Sequence, residues 1–213
     1  MQYGFDRTGF PVVQVPGTGL WMHLLPVTKR QFEAYLAQPD TPGDAAYNRL
    51  LEVNPRPSWR GREPPEAAFV TGLLPGEAEA FAEWFGAGFA VPEAEEWRLA
   101  YVSMAGAQVR VPQRLIEQVA PGVRRWLDLA WQDLGGCQGV CSAPVAWTAL
   151  TRMRDGVVEW TRKPSGEPVG RGAPAQRFQA NTWDPGRDEI RPLAPARRMR
   201  YFGVRLFRKG VGS

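Results

Sequence analysis

Gly76-Glu-Ala-Glu-Ala-Phe-Ala-Glu-Trp-Phe-Gly-Ala-Gly-Phe-Ala-Val-Pro-Glu-Ala-Glu-Glu-Trp-Arg-Leu-Ala100 holds two helix signals and the break between them. Ala78, Phe81, Ala82 and Phe85 recur at helical spacing and line one side of a helix with apolar groups. Pro75-Gly76 precede that helix. Gly86 or Gly88 ends it, because glycine takes the left-handed backbone of a helix C-terminus without strain. Pro92 is expected to open the next helix at its first position, where a missing N–H costs nothing. Glu93, Glu95 and Glu96 fall in that helix's first turns, where negative charge opposes the dipole. Trp97, Ala100 and Tyr101 form its inner face. Short helices broken by Gly and Pro are not the pattern of a helical bundle.

Upstream, Thr28 and Gln31 have the spacing of a capping box, and Val27 and Phe32 that of a hydrophobic staple. Phe32, Tyr35 and Leu36 make the apolar face of a helix that ends before Pro39. Phe10–Val15 and Leu20–Leu25 read as two short strands around a Gly-Thr-Gly turn. Residues 40–68, rich in Pro, Gly and Arg, read as a long loop. The N-terminus lacks a basic segment followed by an apolar one, so no signal peptide is expected. No run of about 18 apolar residues exists, so a soluble chain without a membrane span is expected.

Downstream, Leu115–Val119 and Val123–Leu129 read as short helical turns within 103–154. From Gly156 the pattern changes to strands and turns: Val157-Val-Glu-Trp160, Val169-Gly-Arg-Gly172 and Phe202-Gly-Val-Arg-Leu-Phe207. Trp97 is expected to fill the core. Glu159 beside Trp160 is expected to hydrogen-bond local backbone. Gly203 suits a strand lying close against another backbone. No repeat or low-complexity linker divides the 213 residues, so one domain over 1–213 is the simplest organisation.

Charge is uneven. Positive charge is carried by 23 Arg and three Lys, a bias that codon usage in a GC-rich genome, a thermophile's among them, produces. Residues 171–208 hold nine Arg and three acids, Asp184, Asp188 and Glu189. Residues 1–170 are net acidic. Such asymmetry marks either an electropositive face or a solvated surface without a partner. Cys137, Cys141 and His23 are the only Cys and His, too few for the roughly four ligands of a structural zinc site. The Cys137-Gln-Gly-Val-Cys141 loop reads as a disulfide staple or as two free thiols. His23 is the sole imidazole, so no nucleophile–His–acid set can be assembled around a choice of bases.

Four segments, in order, resemble the formylglycine-generating-enzyme (sulfatase-modifying factor) branch of the C-type lectin fold. They are Leu24-Leu-Pro-Val-Thr-Lys-Arg-Gln-Phe32, the block 76–100, Val157-Val-Glu-Trp-Thr161, and Gly170-Arg-Gly172 with Tyr201-Phe-Gly-Val-Arg-Leu-Phe207. The resemblance spans about residues 10–208. It implies an α+β, C-type lectin-like domain with short helices, small antiparallel sheets and much irregular loop. The chain departs from the enzymes of that branch. The reactive Cys pair expected after the Arg-Gly segment is missing, since 172–213 hold no Cys. One His cannot build the iron site of the ergothioneine-type relatives. Gln38-Pro39-Asp40 looks like a lectin calcium tripeptide, but no Trp-Asn-Asp follows it. The expectation is therefore a non-enzyme with no cofactor and no metal.

The C-terminal stretch 171–208 is most similar to the variable region of diversity-generating retroelement variable proteins, a binding group within this fold. That resemblance implies a rigid scaffold of Phe178, Asn181, Trp183, Phe202, Gly203, Val204 and Leu206. It implies exposed ligand-binding positions at Ala173, Ala175, Gln176, Arg177, Ile190, Leu193, Arg198, Met199, Arg200 and Tyr201. Pro174 belongs to the same group. Arg171-Gly-Ala-Pro174 departs from the family's usual segment there. The implied partner is a macromolecule, a protein on a cell surface, bound by a monomer displayed on a phage or other surface. The alternative is an oxidoreductase acting on a protein thiol. A nucleic-acid binder using the Arg-rich end is the third reading, against which stand the interspersed acids and the missing basic stripe.

Overall fold

Thr28 starts the first helix as its side chain dictates. Its Oγ1 accepts from Gln31 N (3.3 Å), and Gln31 Oε1 accepts from Thr28 N (2.9 Å). This reciprocal cap satisfies two backbone donors that a helix start leaves orphaned. The computed structural model describes residues 2–41, 43–53, 68–105, 113–133, 153, 157–172, 184–192, 194 and 196–210. Its elements are β1 (Tyr3–Phe5), β2 (Pro11–Gln14), β3 (Leu20–His23), α1 (Lys29–Leu36), α2 (Gly43–Val53), α3 (Pro75–Phe85), β4 (Phe89–Ala90), α4 (Ala94–Ala105), α5 (Gln113–Gln118), α6 (Pro121–Asp133), β5 (Val158–Arg162), β6 (Pro168–Arg171), β7 (Phe202–Gly203) and β8 (Phe207–Lys209). The class is α+β, with small sheets and short helices.

α3 buries Ala78, Phe81, Ala82 and Phe85, the stripe its periodicity marks, and ends on Gly86 at φ +66. α4 buries Trp97 and Ala100 completely. Its start differs from expectation. Glu93, not Pro92, is the capping residue: Glu93 O accepts from Trp97 N (3.0 Å), and Glu93 N donates to Glu96 Oε2 (3.0 Å). Pro92 stays outside because its carbonyl accepts from Arg162 N (2.9 Å).

α2 is a second difference, because it lies inside the expected 40–68 loop. Ala46 and Leu50, one turn apart, are buried there. Most prolines and arginines of that stretch come after Val53, so their composition masks the helical part. β1 is a third difference, since no strand is expected before Phe10. It pairs with β2 through Tyr3–Val13, Gly4–Val12 and Phe5–Pro11.

Five strands form one antiparallel sheet in the order β1-β2-β3-β8-β4. Three form a second sheet, β6-β5-β7, in which β5 is antiparallel to β6 and parallel to β7. The segment Phe202–Phe207 reads in sequence as one strand but serves both sheets. Between its two ends, Val204 O accepts from Val27 N (2.8 Å) and Leu206 O accepts from His23 N (3.0 Å), so the crossing backbone stays satisfied. Gly203 is required at that crossing, since a Cβ there would lie 2.6 Å from Val70 O.

Two apolar clusters fill the interior. One gathers Val13, Met22, Trp97, Met104, Leu127 and Met153, and the other Phe32, Phe81, Phe85, Trp160, Phe202 and Leu206. Among the described residues no helix is long and apolar enough to cross a membrane.

Candidate functional site

Beneath the C-terminal segment lies a buried ion pair. Glu159 on β5 and Arg205 between β7 and β8 are both 0 % exposed. Arg205 Nη2 and Nε donate to Glu159 Oε1 at 2.8 and 3.0 Å, and its Nη1 donates to Leu24 O (2.7 Å) and His23 O (3.2 Å). Trp97 Nε1 donates to Glu159 Oε2 (2.6 Å). Glu159 therefore directs its carboxylate at two distant side chains and not at local backbone, contrary to the sequence expectation. A carboxylate removed from water needs donors of this strength, and its own strand's N–H groups are committed to the sheet. The group ties β5, α4, the end of β3 and the crossing segment into one rigid frame.

Between β6 and β7 the described residues 184–192, 194 and 196–201 are held against that frame at two places. One hold is at Glu189–Ile190 and the other at Arg198. On the β6 side, Gly170 N donates to Ile190 O (2.8 Å) and Ile190 N to Gly170 O (2.9 Å), an antiparallel bridge. Gly170 leaves room for it: a Cβ would meet Val158 Cγ1 at 2.5 Å and Phe202 Cε1 at 2.6 Å. Arg171, buried, donates to Arg187 O (2.8 Å) and to Glu189 Oε1 (3.0 Å). Lys163 Nζ holds the other Glu189 oxygen at 3.1 Å. Asp184-Pro-Gly-Arg187 turns sharply, with Gly186 N donating to Asp184 Oδ1 (2.9 Å) and Asp188 N to Asp184 O (2.7 Å). Gly186 packs against the Tyr101 ring of α4.

On the β7 side the clamp is Arg198. Its Nη1 and Nη2 donate to Glu77 Oε2 and Oε1, each at 2.6 Å, and Nη1 also donates to Gly72 O (2.9 Å). Glu77 Oε2 simultaneously accepts from Leu74 N (2.9 Å) at the start of α3. A bidentate Arg–carboxylate pair fixes orientation as well as distance.

Five of the expected ligand-binding positions fall among these described residues. Ile190, Met199 and Tyr201 are half-buried, and all three rest on the cluster that contains Trp160 and Phe202. Arg200 is exposed, its guanidinium 5.7 Å from the Tyr201 ring centre. Arg198, expected to meet a ligand, donates to Glu77 and to Gly72 O. Ala173, Pro174, Ala175, Gln176, Arg177 and Leu193 lie outside the described residues, as do the scaffold positions Phe178, Asn181 and Trp183 and the loop of Cys137 and Cys141. Sequence reasoning missed Glu77, Arg171 and Glu189 as clamps. Glu77 carried a signal, its helix-start spacing from Leu74, but nothing in the sequence gave its partner 121 residues away.

A second polar group surrounds His23. Asp6 Oδ1 accepts from Thr8 N (2.7 Å), Thr8 Oγ1 (2.6 Å) and Phe10 N (3.0 Å), and Asp6 Oδ2 accepts from Gln31 Nε2 (3.1 Å). His23 Nε2 lies 3.5 Å from Asp6 Oδ2 and has no hydrogen-bond partner among the described residues. The imidazole sits between the rings of Phe85 and Phe89, with centroids at 5.0 and 4.8 Å. Burial, followed by the positive charge of Arg205, lowers its pKa to about 3, and burial raises that of Asp6. At neutral pH the imidazole is uncharged, so the contact is not an ion pair. Its closure from solvent makes it a core group and not a base facing a substrate. Among the described residues no group of three or more His, Cys, Asp and Glu side chains is placed to hold a metal ion.

No protein-family model matches the chain, and no curated protein matches it.

Proposed function

We propose that the protein is a non-catalytic binding protein of C-type lectin-like fold, whose residues 171–208 present a diversified ligand-binding face as in diversity-generating retroelement variable proteins. The observation that carries this reading is the double hold on the segment between β6 and β7. Gly170, Arg171 and Glu189 hold one place and Glu77 and Arg198 the other, while Arg187, Arg191, Arg197 and Arg200 stay exposed. A segment anchored this way loses little entropy when it docks, and its outward positions can vary without disturbing the frame. The placement of β8 between β3 and β4, closing the N-terminal sheet, agrees with the lectin-like fold reading. The partner on this reading is a macromolecule, a protein on a cell surface.

The test is a library randomised at Arg191, Arg197, Arg200 and Tyr201 and panned against unrelated proteins. Most members are expected to keep cooperative melting, substitutions at the exposed Arg191, Arg197 and Arg200 each costing within about 0.5 kcal/mol and those at the half-buried Tyr201 more, and panning is expected to recover binders. General loss of the melting transition, or no binders from a folded library, overturns the reading. So does turnover of a thiol-containing peptide by the protein supplied with copper or iron.

A further inference from the structure

We draw no further inference here: the strongest candidate, the apolar surface patch of Leu99 and Val102 on α4, 45 % and 55 % exposed, carries nothing because nothing in the structure shows what covers it.

Discussion

Glu159 and Arg205 show how one pair decides whether this frame stands. Both are out of water, and each answers the other's charge. Glu159→Gln leaves the guanidinium uncompensated and is expected to cost about 3–5 kcal/mol, read as a lowered urea midpoint with an unchanged slope. Replacing both by apolar residues of similar size is expected to recover most of that loss; a double variant as unstable as the single one contradicts the account. Gly203→Ala places a methyl 2.6 Å from Val70 O, and a backbone atom cannot swing aside, so a loss of about 2–3 kcal/mol is expected from the same measurement. His23 sets a pH window. Its pKa is about 3 in the fold and 6.5 when unperturbed, so at neutral pH neither state binds the proton. Below pH 6.5 the unfolded chain takes up a proton the fold refuses, and stability falls until about pH 3. Asp6, whose pKa is raised, works in the opposite sense in the acid range and offsets part of the loss. His23→Gln is expected to flatten the fall in urea midpoint between about pH 7 and 4, and an unchanged slope contradicts the assignment.

At the scale of elements, the sequence was most readable where a local rule chose the structure. The Thr28–Gln31 cap, the apolar stripe of α3 and the stop at Gly86 are all short-range, and the structure has them at those residues. It was least readable where distant groups compete for a backbone. Pro92 is kept out of α4 by the distant Arg162, and Phe202–Phe207 is divided because its carbonyls answer residues 23–27. α2 was hidden by the Pro- and Arg-rich composition of residues 54–67. The candidate site was legible as a region, not as a set of contacts. Ile190, Met199 and Tyr201 each pack against the cluster that contains Trp160 and Phe202, but no spacing rule reveals that Arg198 bonds Glu77 of α3. Glu77→Gln is expected to release that clamp. Hydrogen exchange of the Phe202 amide, which donates to Met199 O, should quicken severalfold while Trp97 and Phe81 amides stay protected, at a cost of about 1–2 kcal/mol. Uniform quickening of all three amides points to global weakening instead.

For the molecule as a whole, two small sheets and several short helices share the 213 residues, and neither sheet buries its faces alone. The crossing at Val204–Leu206 joins them, with Arg205 as its internal tie. The consequence of β8 lying between β3 and β4 is one of order in time. During synthesis β1, β2, β3 and β4 emerge early, yet among the described residues β4 has no neighbour in that sheet except β8. Until residues beyond Leu206 leave the ribosome, β3 carries an open flank and β4 waits without a hydrogen-bonding mate. Completion of the larger sheet is therefore a late event, and chains truncated before Phe207 should be far easier for a protease to cut than chains that include residues 207–213.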